Sequence, residues 1–141
     1  MATACVLNGR LYVIGGAGSN TVQVLEMTEE NGLSWSRKAG LPANRFGAAC
    51  AVHDGRIWVI GGCVGEDEVP TASVVIYDAE ADAWGTGPPL PAACIGCIAA
   101  AMDGGIFVGG SAGLFQYTNA EWRRVPGDRK SGAVCGSLLL G

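Results

Sequence analysis

Four clusters in the sequence could carry chemistry. His53 with Asp54 would suit a nucleophile-activating pair, and Cys94-Ile95-Gly96-Cys97 a redox or zinc site. Gly15-Gly16-Ala17-Gly18 would suit a phosphate-cradling turn, and Glu66-Asp67-Glu68 paired carboxylates for acid–base work. Each falls short of that chemistry on spacing or context. A Ser-His-Asp triad needs its His oriented by a carboxylate and set beside a nucleophile. His53 is the sole histidine. Asp54 follows it directly, and adjacent strand residues point to opposite faces, so His53 reads as a partly exposed turn residue. A C-x-x-C zinc site needs a second pair, and a thioredoxin-like motif opens a helix after a strand. Here Pro91 precedes the motif, a strand-like run of Ala follows, and there is no second C-x-x-C. The G-x-G-x-x-G nucleotide pattern would require Gly at position 21, which is Thr21, and a helix where Thr21 to Met27 alternates like a strand. The acidic run reads as a solvated loop, although paired carboxylates are the tools of glycosidases. No catalytic residue, metal-ligand set or cofactor is expected.

Composition narrows what must position these residues. The chain has 141 residues, 49% hydrophobic and only 16% charged, with 23 Gly and 6 Pro. Length permits a single domain. Gly and Pro together make about a fifth of the chain, below the level of low-complexity disorder, so a folded, turn-rich protein is expected. Gly disfavours a helical bundle, costing about 1 kcal/mol against Ala at each helix-interior site. The net charge of −4 offers no basic patch to displace counterions from phosphates, which sets nucleic-acid binding aside. The long uncharged stretch that includes Gly85 to Met102 is broken by Pro88, Pro89 and Pro91, whereas a spanning helix wants about 20 apolar residues in a row. No export signal stands out. A cytoplasmic location is expected, with the six cysteines as thiols.

The dominant signal is internal repetition. Ala4 to Gly16 aligns with Cys50 to Gly62, and Ala100 to Gly110 with both, one residue shorter before its Gly pair. The pairs beginning at Gly15, Gly61 and Gly109 recur 46 and then 48 residues apart. Each unit reads as four strands. A small-residue run leads to an Asn-Gly or Asp-Gly turn, which accepts the positive φ of a tight hairpin. A β-branched and aromatic second strand follows (Ile57 to Ile60), suited to burial on both faces, and the Gly pair ends it. Third strands are expected over Thr21 to Glu26, Ser73 to Asp78 and Gly113 to Tyr117. Each fourth strand carries one Trp: Trp35, Trp84 and Trp122. Cys5, Cys50, Cys97 and Cys135 fall in first strands, where free Cys acts as a small hydrophobe.

These residues resemble the kelch repeat: the hydrophobic-Gly-Gly ending, the Tyr77-Asp78 pair on the third strand and Trp84 a few residues on. Unit one departs with Leu25-Glu26 in place of Tyr-Asp, and unit three with Tyr117-Thr118. The resemblance implies an all-β partial kelch-type β-propeller, three four-stranded antiparallel blades plus the start of a fourth. The blades would occupy about 2–43, 44–91 and 92–128, and the incomplete start 129–141. Propellers typically have 4–8 blades. Three would leave apolar end faces uncovered, so the chain is expected to be a fragment of a longer propeller, half of a two-copy ring, or an open assembly. Self-association through those faces is expected. The first strand of each blade would lie nearest the central axis.

The resemblance also implies a role. In kelch proteins that bind peptides, recognition is often on the face that gathers the loops after second strands and the connectors between blades. Here that face collects Asn20, Arg45, the loop bearing Glu66, Asp67 and Glu68, and Arg129 with Lys130. Arg45 matches a position where the family often carries Arg, able either to hold a carboxylate bidentately or to satisfy loop carbonyls. The acidic run either selects basic partner segments or keeps the loop soluble. The expected function is protein or peptide binding as a scaffold or substrate-recognition module, one family role being a ubiquitin-ligase adaptor. The alternatives are a kelch-type sugar isomerase or oxidase, or an actin-binding protein. The copper oxidases related to kelch need two His ligands, which this sequence cannot supply.

Overall fold

The computed structural model describes residues 2–30, 32–102 and 104–126. Among them every regular element is a strand. The first sheet holds β1 (Thr3–Leu7), β2 (Arg10–Ile14), β3 (Val22–Thr28) and β4 (Gly32–Lys38), in chain order. After β5 (Arg45–Phe46) come β6 (Ala49–His53) and β7 (Arg56–Ile60), then the short strands β8 (Cys63–Val64) and β9 (Val69–Pro70), then β10 (Val74–Asp78) and β11 (Ala83–Gly87). The second sheet is β6-β7-β10-β11, while β5, β8 and β9 form a small sheet of their own. The third holds β12 (Ile98–Met102), β13 (Gly105–Gly110), β14 (Gly113–Thr118) and β15 (Glu121–Arg124). All pairings are antiparallel. The protein is an all-β propeller wedge of three four-stranded blades, with β1, β6 and β12 side by side along its inner edge.

Local chemistry fixes the hairpins. Asn8-Gly9 and Asp54-Gly55 both sit at positive φ (54° and 76°, 54° and 73°), the two-residue turn whose twist suits adjoining strands. Register follows: Leu7 faces Arg10 and His53 faces Arg56. His53 is thus the last residue of β6 rather than a turn residue. It packs half-buried between blades, edge-on to Trp58 and Tyr117 with centroids 5.5 and 6.0 Å away. In the third blade Gly109 and Gly110 are themselves the last two residues of β13 rather than following it, because the shortened unit turns directly at Ser111-Ala112 into β14. Cys97 stands just before β12 rather than in it. Arg129, Lys130, Cys135 and the fourth start at 129–141 lie outside the described residues.

The cores lie between blades, not inside them. Alternation along β7 sends Ile57 and Val59 toward blade 1, and Trp58 and Ile60 toward blade 3. β10 does the same with Val75 and Tyr77 against Val74. Leu41 and Leu90, each just ahead of a connector proline, plug the two interfaces. Full burial of one such aliphatic side chain is worth roughly 1.5–3 kcal/mol. An aromatic sequence repeats at both interfaces. Tyr12 meets Tyr77, which meets Trp84; Trp58 meets Tyr117, which meets Trp122.

Polar latches add to this packing. Trp84 Nε1 donates to Ala39 O and Trp122 Nε1 to Pro88 O, both at 2.8 Å. Each links a fourth strand to the chain leaving the preceding blade. Asp82 reinforces the first latch, its Oδ1 accepting from Ala39 N at 2.9 Å and from the Tyr77 hydroxyl at 2.6 Å. Those two donors hold the Asp82 carboxyl below its ordinary range, and burial with the Asp82 contact raises that of Tyr77. Trp35, the equivalent side chain of blade 1, is 54% exposed.

The Gly pairs admit the next blade. Gly16 N donates to Arg45 O at 2.8 Å and Gly62 N to Cys94 O at 2.6 Å. A Cβ on Gly61 would stand 2.6 Å from Cys94 O, and Gly61 holds φ 69°. Gly61→Ala should therefore destabilise the fold by roughly 1–3 kcal/mol or more. Gly85→Ala, whose Cβ would meet nothing within 4 Å, should stay within about 0.5 kcal/mol of wild type. Urea unfolding followed by Trp fluorescence checks both. Because the carboxyl of Asp82 is depressed on folding, its contribution is complete above the unfolded value near about 4 and is lost as pH falls through the folded one. The stability gap between wild type and Asp82→Asn should be full at neutral pH and shrink as pH falls below that range.

Candidate functional site

The loop face is held together by its own backbone. Leu41 N donates to Asn20 O and Leu90 N to Ala72 O, both at 2.8 Å, so each connector is tied to the loop after a second strand. Ser19 with Thr21, and Thr71 with Ser73, stiffen those loops through paired hydroxyls and local backbone bonds. Asn20 adds a hydrogen bond, its Nδ2 donating to Leu41 O at 3.1 Å.

Arg45 forms the floor. It is 7% exposed, the one polar or charged side chain among the buried described residues. Its Nη1 donates to Gly61 O at 2.8 Å and to Ser73 O at 3.2 Å, and its Nη2 to Ser73 Oγ at 2.9 Å. Burial lowers its pKa. The guanidinium thus braces the two ends of the segment joining β7 to β10. In the third blade Cys94 stands at the matching place, and there Gly96 at φ 66° folds the chain back so that Cys94 pairs with Cys97 in a disulfide. That corrects the expectation of thiols at these two positions. Cys5, Cys50 and Cys63 are free.

Above the floor the segment from Cys63 to Thr71, expected as a plain loop, makes a β-hairpin. Val64 pairs with Val69, Cys63 with Pro70, and β8 also pairs with Arg45 and Phe46. Its tip closes with Glu68 N donating to Gly65 O at 3.2 Å, Gly65 and Glu68 both at positive φ. Pro70 is accommodated because β9 is an edge strand. Glu66, Asp67 and Glu68 are all exposed at the tip. Among the described residues the ion pairs are Arg10–Glu26 and Arg123–Glu121, and none engages the tip. The structure therefore gathers Asn20, Arg45 and the acidic tip on one face, Asn20 and Arg45 as braces and the tip as free charge.

Two cavities lie elsewhere in the wedge. A cleft of about 370 Å³ opens between the first strands, lined by Thr3, Cys50, Cys97 and Ala99 among others. Along the groove between blades 2 and 3 lies a second cavity of about 270 Å³, lined by His53, Arg56, Trp58 and Tyr117. Among the described residues no group of three His, Cys, Asp or Glu side chains is placed to hold a metal ion. The first cleft has a feature that repeat reading passed over: Cys5 and Cys50 meet across the junction of blades 1 and 2. Both side chains pack against the cluster between those blades, and Cys50 Sγ donates to Ala4 O, the carbonyl next to Cys5, at 3.1 Å. Interactions with Cys5 and then Thr3 lower the Cys50 thiol to about 7 against the opposing effect of burial, while Cys5 is pushed up. The signal was in the sequence. Cys5 and Cys50 occupy neighbouring repeat positions, so they point out of opposite blade faces, one forward and one back.

A family model, the Kelch motif, matches residues 44–91, the second blade with its connectors. The human Kelch-like protein 33 is 32% identical over 119 residues, covering 81% of this chain and 22% of its own length. An F-box/kelch-repeat protein of Arabidopsis thaliana, At1g67480, is 33% identical over 121 residues, covering 82% of this chain and 32% of its own. The chain thus spans about a fifth to a third of the length of these relatives. Among solved structures, that of YjhT superposes with a TM-score of 0.76 at 16% identity, over 92% of this chain and 52% of the other, a likeness of fold. The unit repeated here, with its paired glycines and its Trp on the fourth strand, is a kelch repeat, and the chain belongs to the kelch-repeat family.

Proposed function

We propose that the protein is a binding module, not an enzyme, whose loop face holds a basic segment of a partner protein. The observation that supports this reading is the acidic tip of the β8–β9 hairpin: three exposed carboxylates without an internal cation among the described residues. They stand on a floor that Arg45 and Asn20 make rigid. Rigid scaffolding under exposed loops is the usual division of labour in recognition. Glu66, Asp67 and Glu68 supply the contact charges, while Asn20 and Arg45 position them. By repeat position we extend the proposed contact set to Arg129 and Lys130, which lie outside the described residues.

The module's role in this reading is scaffolding or substrate recognition within a ubiquitin-ligase adaptor. The name of the plant relative, which joins an F-box to kelch repeats, supports that choice. We place it in the cytoplasm; among the described residues no helix is long and apolar enough to cross a membrane. There the glutathione pool would make the Cys94–Cys97 bond conditional. A further part of the proposal is self-association through the two end faces. Val6 on blade 1 is 62% exposed, and Ile98 and Met102 on blade 3 are 38% and 40% exposed.

Reversing the tip with Glu66→Lys, Asp67→Lys and Glu68→Lys should weaken partner capture roughly tenfold or more, through the loss of electrostatic complementarity. Asp54→Asn, at a turn outside this face, should leave it unchanged. Quantitative mass spectrometry of proteins retained by the immobilised variants checks this, and equal retention by all of them would overturn the reading. Arg45→Ala should cost about 2–4 kcal/mol of stability, since it leaves Gly61 O and Ser73 without their charged donor. Arg45→Lys should recover only part, lacking the fork that serves both residues. Light scattering on the purified chain should give a mass above that of the monomer, rising with concentration.

A further inference from the structure

We propose that Cys5 and Cys50 form an oxidation site at the junction of the first two blades, where a hydroperoxide converts the two thiols into an interblade disulfide. Three observations carry this. The side chains leave opposing sheet faces into the same interblade cluster, and Cys50 Sγ stands 3.1 Å from Ala4 O, the carbonyl next to Cys5. Both are half-buried rather than sealed, and Cys50 lines the cleft of about 370 Å³ along the inner edge, which admits a small oxidant. β1 and β6 belong to separate sheets with no ladder between them. They can therefore adjust toward the Cα separation of roughly 4.4–6.8 Å that a disulfide needs without breaking strand pairing.

The neighbours also set the order of events. Interactions with Cys5 and the Thr3 hydroxyl favour the thiolate of Cys50 over that of Cys5, and the thiolate is the nucleophile. Cys50 sulfur attacks one peroxide oxygen; an S–O bond forms, the O–O bond breaks, and the departing oxygen takes a proton and leaves as alcohol, or as water from hydrogen peroxide. Cys5 sulfur then attacks Cys50 sulfur. The S–S bond forms, the S–O bond breaks, and hydroxide leaves as water with the proton of Cys5. Two electrons pass from the two sulfurs to the peroxide, so no other co-reactant is needed. The product would fasten blade 1 to blade 2 beside the central cleft. Cys63, buried in β8, is the internal control, and the site stands whatever the loop face binds.

The test is disulfide mapping of the whole chain by non-reducing peptide mass spectrometry. Treat it with hydrogen peroxide, block remaining thiols with an alkylating reagent, and digest. The expected product is a joined peptide pair containing Cys5 and Cys50, two hydrogens lighter than the separate peptides, with Cys63 recovered alkylated. Cys50→Ser should lose the bond entirely. Cys5→Ser should leave Cys50 without a resolving partner and carry it on to the sulfinic acid. The wild-type map needs no variant to fold. Recovery of Cys5 and Cys50 as alkylated thiols alongside oxidised Cys63, or disulfides only between separate chains, would overturn the proposal.

Discussion

The structure depends on how closely one blade's incoming chain can approach the end of the preceding blade's second strand. At both junctions a glycine amide donates to the carbonyl of the residue about to start the next blade: Gly16 to Arg45, and Gly62 to Cys94. Gly61, beside the second of these contacts, is turned to positive φ with that same carbonyl 2.6 Å from where a Cβ would be. A side chain there would push the next sheet outward. The remaining junction features then follow. The connector leucines drop into the interface, the fourth-strand Trp reaches the carbonyl of the departing chain, and third-strand Tyr rings meet the second-strand rings of the neighbouring blade at a tilt. Asp82 fastens this at the outer rim of the first interface, as the Gly pair does at the loop face.

The loop face inherits its rigidity from the same contacts. Arg45 carries the carbonyl that accepts from Gly16 N, and its side chain braces Gly61 and Ser73. The residue that joins blade 1 to blade 2 thus also sets the platform from which the acidic hairpin rises. Recognition and closure share one residue, which is why a change at Arg45 would be felt both in stability and in the outline of the face.

Much of this was legible in the sequence. The period of 46 to 48 residues, the Asn-Gly and Asp-Gly turns and the doubly apolar second strands gave blades, order and register, because each is a local backbone requirement. The features that escaped depend on where separate units meet. Cys63 to Thr71 reads as a loop until β5 supplies a strand for it to pair with. The Cys94–Cys97 bond needs the fold-back at Gly96. His53 looks like a turn residue until the ring systems of Trp58 and Tyr117 enclose it. At the candidate site the grouping of Asn20, Arg45 and the acidic run followed from topology. The number of bonds Arg45 already spends on the fold did not, because nothing local marks Ser73 as its acceptor.

Placing the apolar clusters between sheets has a consequence for cooperativity. No single sheet encloses an interior of its own, so a solitary blade would be a ribbon with two greasy sides. The smallest unit able to melt as one is a neighbouring pair, and the middle sheet is a member of both pairs. Nearest-neighbour coupling of this kind makes damage propagate unevenly. Fraying an outer ribbon forfeits one shared interior, whereas opening the central one forfeits both at once.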